Sequence, residues 1–447
     1  MPGVPATSNR YQSGHSSYPT TYSQKYNRYS GSSSSIGTGT SRPLPSGLDN
    51  DRYDSSKNDT DNASDITKRL SDFRMGRENR TLSPVNPDSL SPIARRSSHE
   101  TGSETQTKSL SRYNTLPACF MNSVLQCLSH TRPLLEYCLR EDYLRDKNTT
   151  SNGMKGSLIT AYANLMCSLW KDNNDTYVSP NAFKTQIQRF APRFMGYSQQ
   201  DAQEFLRYLL EGLHEDVNKI TRKPKMVVLD DDQFNSDNEQ SCEYWKNYLK
   251  FDNSRIVEIF VGQLKSVLKF CDCDHRSVTF DPFWDLSLPI PKGRSEVNIT
   301  DCISHFMKEE ALDDKPTCTK CKERRACTKG FSIQKFPRIL VLHLKRFSQE
   351  RYSRKISTHV EFPVTNLDMS EFAAEGVSQP AIYNLYAVSN HSGGTHSGHY
   401  TAYCKHPFLS DWNLFNDTRV SRVQSNQVTS AEAYVLFYEL TNQPSHL

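Results

Sequence analysis

The chain has 447 residues, 36% of them apolar, and a formal net charge of +4 from 54 basic and 50 acidic side chains. A charge so small over this length excludes nucleic acid or a membrane surface as a partner chosen by bulk electrostatics. No run of 18 apolar residues and no apolar segment near Met1 marks a span or a secretory leader, so a cytoplasmic protein with nuclear access is expected, its 12 cysteines serving as buried thiols, ligands or a nucleophile.

Residues 1–109 are rich in Ser, Thr, Tyr, Asn, Arg and Asp without helical or strand period, and are expected to be a disordered arm. Within it, Arg95-Arg96-Ser97-Ser98 offers serines beside arginines to a basophilic kinase. The remainder, residues 110–443, is expected to hold the folded domain.

Met121, Val124, Leu125 and Leu128 recur at i, i+3, i+4 and i+7, which predicts a helix buried on one face with Cys119 at its N-terminus. Free backbone N–H groups and the helix dipole favour a thiolate there. A second helix is predicted from about Ser198, capped by that hydroxyl with Asp201 three residues on, and with Ala202, Phe205, Leu206, Leu209 and Leu213 facing inward. Between Pro224 and Glu243 the acidic run reads as a solvated loop.

From Arg255 the pattern turns to strands, in IVEIFVGQLKSVLKF, ILVLHLKRF, NLYAVSN, HYTAYC and AYVLFYEL. Helices first and strands later predict an α+β domain, a helical lobe beside a mostly antiparallel sheet with a cleft between them. Gly393, Gly394 and Gly398 form a pliant loop that would let a peptide backbone approach His399, which opens a strand. Asn416 or Asp417 in DWNLFNDTRV could accept the Nδ1 hydrogen bond that fixes the His399 tautomer, completing a Cys/His/Asn arrangement for nucleophilic catalysis.

The blocks CFMNSVLQCL, YSQQDAQEFL, FDPFWDLSLPIP, FPRILVLHLKRF, YNLYAVSNHSG, SGHYTAYC, FNDTRV and AYVLFYEL resemble, in order, those of the compact branch of the ubiquitin-specific proteases, papain-like cysteine peptidases. The resemblance covers about residues 114–440 and implies thumb, palm and fingers, the fingers at roughly 255–345. It implies Cys119 as nucleophile, His399 as general base and then acid, Asn416 as the orienting member and Asp417 as a helper. Asn114, five residues before the nucleophile, would join the Cys119 N–H in an oxyanion hole. The implied reaction is hydrolysis of the peptide or isopeptide bond after the terminal glycine of ubiquitin, by a monomer acting on ubiquitinated proteins, with Asp201 and Glu204 contacting arginines of ubiquitin's tail.

The resemblance also implies a structural zinc stapling the fingers, held by Cys318 and Cys321 (CxxC) with Cys271 and Cys273 (CxC). The family has CxxC in both halves; here its first cysteine falls on Phe270, with Cys271 one step late and His275 as a further donor. No catalytic cofactor is implied. Before the nucleophile the family reads GLxNLGNTC and this chain SRYNTLPAC. Leu116, Pro117 and Ala118 therefore support an alternative, a catalytically impaired ubiquitin-binding module.

Overall fold

In the computed structural model the described residues are 109–110, 119–150, 153–171, 177–195, 199–225, 229, 233–273, 275–347, 355–395 and 397–441. The arm expected over 1–109, including Arg95-Arg96-Ser97-Ser98, lies outside them except for Ser109. Ser109–Leu110 (β1) pairs in parallel with Tyr177–Val178 (β2).

The first part of the described chain is helical: α1 (Cys119–Ser129), α2 (Arg132–Leu139), α3 (Tyr143–Asp146), α4 (Ser157–Lys171), α5 (Asn181–Phe190) and α6 (Ala202–Asp216). Met121, Val124, Leu125 and Leu128 are buried as expected, but so is every other residue of α1, including Asn122, Ser123, Gln126 and Ser129, so the helix is enclosed on all sides and not on one face alone. Asp216 closes α6 and caps α4, its carboxylate accepting the N–H groups of Gly156 (3.0 Å), Leu158 (2.8 Å) and Ile159 (2.9 Å). A carboxylate at the positive end of a helix satisfies donors that have no partner within the helix.

Three local expectations are corrected. Helix α6 starts at Ala202 and is capped by Asp201, whose Oδ1 accepts from Gln203 N–H (2.8 Å) and Glu204 N–H (3.1 Å); Ser198 lies outside the described residues. The acidic run expected as a loop contains helix α7 (Asp237–Leu249), because Ser236 caps it and Asp237 and Glu239 occupy its first turn, where negative charge suits the dipole. The apolar stretch IVEIF is a helix, α8 (Arg255–Phe260), because Ser254 accepts the Val257 N–H (3.2 Å) as an N-cap. A short apolar run fits a strand or a buried helix, and here the cap decides.

Strands follow: β3 (Gly262–Phe270), β4 (Arg276–Phe283), β5 (Leu286–Leu288), β6 (Glu296–Asn298), then helix α9 (Ile299–Met307), β7 (Glu310–Ala311), β8 (Cys327–Lys335), β9 (Ile339–Leu344), β10 (His359–Glu361), β11 (Leu367–Asp368), β12 (Ile382–Gly393), β13 (Gly398–Lys405), β14 (Trp412–Asn416), β15 (Arg419–Val423) and β16 (Ala433–Leu440). The large sheet runs β15-β14-β13-β12-β16-β9-β5, with β11 also on β12. Its pairs are antiparallel except β5 with β9. A second sheet, β4-β3-β8-β7, is a long antiparallel hairpin with two strands added and carries the cysteines at its far end. The α+β class with a mostly antiparallel sheet is as expected.

Helix α1 lies against β13 and β12. Ser123 fixes the contact, its hydroxyl sharing a 2.5 Å hydrogen bond with Ser389 and donating to the Thr401 carbonyl at 3.1 Å. The first residue of the thumb helix is thereby set beside the strand that begins at Gly398.

Candidate active site

Cys119 is the first residue of α1 and is 5% exposed. The backbone N–H groups of Tyr400, Phe120 and Cys119 itself lie near enough to the sulfur to favour its charged form. Burial nonetheless holds the thiol above its ordinary value, and the nearby Asp417 carboxylate adds to the rise. The three N–H donors oppose this and do not overcome it. At rest the group is a neutral thiol, so attack on a carbonyl requires a base to take its proton.

The Tyr400 amide sits next to His399, half-buried on β13 opposite Ser392 of β12. His399 Nε2 lies 2.8 Å from Asn416 Oδ1, the last residue of β14. The imidazole nitrogen held by the asparagine is thus Nε2, where the sequence pointed to Nδ1. An amide oxygen can only accept, so it fixes the proton on Nε2 and leaves Nδ1 as the basic nitrogen.

Asp417 takes a different partner. Its Oδ1 accepts from Asn122 Nδ2 at 3.2 Å, tying the β14–β15 turn to the nucleophile helix. Asp417 has φ 50°, a left-handed conformation that Asp adopts more readily than most residues, and this turns its carboxylate toward α1. Asn114, Leu116, Pro117 and Ala118 lie outside the described residues.

Gln199 is a residue that the sequence reading missed. Its side-chain amide pairs with Gly398 on both sides: Oε1 accepts the Gly398 N–H at 3.1 Å, and Nε2 donates to the Gly398 carbonyl. The loop before His399 is thereby pinned to the segment before α6. The signal was present in YSQQD, where only Ser198 and Asp201 were singled out. The glycines of that loop also answer to packing. A Cβ on Gly398 would meet His391 Nε2 at 2.2 Å and the Ser392 carbonyl at 2.7 Å, and Gly393 has φ +91°. Gly394 faces open space.

The two carboxylates expected to bind a basic tail are both engaged. Besides capping α6, Asp201 accepts the Tyr434 hydroxyl on Oδ2 at 2.5 Å. Glu204 pairs with Arg193, whose guanidinium lies over the rings of Tyr208 (5.4 Å) and Phe194 (5.6 Å). Burial raises the Glu204 carboxyl, Arg193 pulls it down, Asp201 adds to the rise, and the balance is upward. Of the two, Glu204 is the one whose partner is a single, half-exposed side chain.

At the end of the hairpin sheet, Cys273, Cys318 and Cys321 converge, their sulfurs all within 4.8 Å of one another. Cys271, expected as the fourth ligand, does not join them. It is exposed, while its neighbour Phe270 is 4% exposed and packs with Cys318 and Cys327. Strand β3 ends at Phe270, and in the turn that follows Cys271 faces solvent while Cys273 returns to the cluster. His275 is also apart: its Nε2 is 2.9 Å from the Thr319 hydroxyl and its ring stacks on Phe270 at 5.9 Å. A second group, His214, Glu215 and Asp252, lies in the helical lobe, with Lys223 3.5 Å from Glu215 and 3.8 Å from Asp252 as its cation.

A thiol at a helix N-terminus, an imidazole on the adjoining strand and an asparagine behind it form the constellation of the papain-like peptidases. The model of the family "Ubiquitin carboxyl-terminal hydrolase" matches residues 112–438. The chain belongs to the ubiquitin carboxyl-terminal hydrolase family. It is 53% identical over 333 residues to human ubiquitin carboxyl-terminal hydrolase 2, covering 74% of this chain and 54% of that protein. To human ubiquitin carboxyl-terminal hydrolase 21 it is 43% identical over 347 residues, covering 73% and 60%. The chain thus spans about half the length of the first of these curated relatives. Among solved structures it is similar to a chain of the SAGA Ubp8/Sgf11/Sus1/Sgf73 DUB module bound to ubiquitin aldehyde, with TM-score 0.61 and 26% identity over 77% of this chain and 72% of that one. A chain of the same module bound to monoubiquitin gives TM-score 0.60 and 25% identity, over 85% and 76%. The mixed helices and sheets agree with the α+β fold expected of this family.

Proposed function

We propose that this chain is a deubiquitinating thiol protease that cleaves the peptide or isopeptide bond after the C-terminal glycine of ubiquitin. The observation that carries the reading is His399 Nε2 lying 2.8 Å from Asn416 Oδ1, on the strand whose next residue, Tyr400, brings its backbone N–H near the Cys119 thiol at the start of α1. A lone histidine or a lone buried cysteine would support nothing comparable.

In the proposed mechanism Nδ1 of His399 takes the Cys119 proton as the sulfur attacks the glycyl carbonyl. Asn416 holds the ring and stabilises the imidazolium that forms. The oxyanion is met by the Cys119 N–H at the start of α1 together with the Asn114 amide. His399 then protonates the leaving lysine amine, and water hydrolyses the thioester with the same imidazole as base. Asp417 helps through Asn122, by holding the turn that carries Asn416 against the nucleophile helix. Glu204 is the contact for a tail arginine, which exchanges with Arg193, while Asp201 shapes the cleft through its cap and Tyr434.

A zinc ion held by Cys273, Cys318 and Cys321 would supply a cross-link between the turn after β3 and the turn before β8, in a hairpin sheet with little core of its own. The protein is proposed to act as a monomer on ubiquitin conjugates in the cytoplasm or nucleus. Cys119, His399 and Asn416 standing together favour turnover over binding alone.

The test is release of a fluorophore from the C-terminus of ubiquitin by the purified chain, beside Cys119→Ala. Turnover that vanishes in the variant while ubiquitin binding persists supports the proposal. Absence of turnover in the unaltered protein refutes it.

A further inference from the structure

The finger tip departs from a closed tetrahedral knuckle in a way that changes its chemistry. The Cys273 and Cys318 sulfurs are 3.6 Å apart and those of Cys321 and Cys273 are 4.0 Å apart. A tetrahedral ion with metal–sulfur bonds of about 2.3 Å has sulfur–sulfur edges of about 3.8 Å. Three corners are therefore spaced for a thiophilic ion. The turn that presents two of them is also built: Lys322 N–H donates to the Cys318 carbonyl (2.9 Å), Cys318 N–H donates to the Glu323 carbonyl (2.8 Å), and Lys322 is left-handed at φ 59°.

No other His, Cys, Asp or Glu among the described residues has a ligand atom within 4.8 Å of all three sulfurs. Beside them pack Phe270, Leu268 and Leu312, which cannot ligate a metal, and the buried thiol Cys327, which belongs to the same cluster but stands outside that group. Cys271 points away with its amide bound to the Ala326 carbonyl at 3.0 Å, and His275 is held by Thr319. Moving Cys271 inward would require a half-turn of the strand end and would expel the Phe270 ring, a large apolar group, from its packing. Three thiolates on a divalent ion leave one negative charge, and Arg325 stands beside Cys321, tied to Asp272 at 3.3 Å.

Resting on the reading that the tip binds metal, we propose that in this chain it is a three-thiolate site with an exchangeable fourth position. That position would accept a small donor from solution such as a low-molecular-weight thiol or an imidazole. Closed four-ligand sites serve structure, whereas an open position exchanges ligands.

The experiment is anaerobic titration of the reduced full chain with Co2+ alone, followed by its visible bands. One equivalent is expected to bind, and added imidazole or mercaptoethanol is expected to shift the bands. Cys271→Ser, Cys327→Ser and Asp274→Asn, the last at a position outside the described residues, should bind Co2+ within about twofold of the unaltered chain, whereas Cys318→Ser should weaken it by at least about tenfold. Bands indifferent to added donors, or a tenfold loss in Cys271→Ser, Cys327→Ser or Asp274→Asn, would mean a fourth protein ligand and overturn the open position alone. No Co2+ binding by the unaltered chain would overturn the metal reading as well. The band response is measured on unaltered protein, so it stands even where a variant folds poorly.

Discussion

Replacing Asn416 by alanine removes the one hydrogen bond seen on His399 Nε2, 2.8 Å long, at an exposed strand end. Because burial keeps the Cys119 thiol protonated, its proton reaches His399 only as the sulfur attacks, and the imidazolium so formed arises on the way to the transition state. The bond to Asn416 is therefore stronger in the transition state than in the resting enzyme. A hydrogen bond to a charged group contributes about 1.5 to 3 kcal/mol, and at about 1.4 kcal/mol per decade Asn416→Ala should lower kcat by about 10- to 150-fold. KM should change little, because the side chain makes no ground-state contact that substrate would need. Stability should shift by no more than about 0.5 kcal/mol, as for other exposed sites. Initial rates of ubiquitin–fluorophore cleavage over a range of substrate concentrations separate the two constants, and a urea melt checks the fold. A kcat within about threefold of the unaltered chain, or a loss confined to KM, would refute the reasoning.

The same thiol predicts a chemical signature: iodoacetamide should alkylate Cys119 at a rate that still climbs above about pH 8.5, the ordinary range for a cysteine, whereas a plateau from acid pH would indicate a preformed ion pair. Asp252 is 1% exposed, has an Oδ2 without a hydrogen-bond partner, and is pushed up to about 7 by burial. A carboxyl raised in this way contributes most below its unfolded value near 4 and loses that contribution as pH rises toward 7. Asp252→Asn should therefore gain stability over the unaltered chain by on the order of 1 to 3 kcal/mol between pH 5 and pH 8, read from urea melts at the two pH values, with Lys223 at 3.8 Å limiting the gain. Asp216→Ala removes the acceptor of three N–H groups at the start of α4 and should cost about 2 to 4 kcal/mol, seen as a fall in Tm; a change under about 0.5 kcal/mol would show that water replaces the cap.

Much of the site was legible because its signals are local. The apolar stripe of α1 fixes a helix, and a helix fixes where its first residue, Cys119, must sit. The alternation in HYTAYC likewise marks the strand that carries His399, whereas WNLFN, singled out only for Asn416 and Asp417, proves to be a strand as well. Local signals failed where two of them competed. The acidic residues Asp237 and Glu239 suit both a solvated loop and a helix start, and IVEIF suits both a strand and a helix; the caps Ser236 and Ser254 decided.

The sequence by itself determined the fold class, the order of helices and strands, and the identity of the thiol, imidazole and amide, since periodicity and residue chemistry are properties of short stretches. Only the tertiary structure decided which atoms meet. Asn122 and Asp417 are 295 positions apart, Gln199 and Gly398 are 199 apart, and no local rule pairs them. The finger tip shows the same limit at one-residue scale: the spacing of Cys271 and Cys273 gave two candidate ligands. Which of them joins Cys318 and Cys321 is decided by the path of the turn after β3, which leaves Phe270 buried, Cys271 in solvent and Cys273 in the cluster.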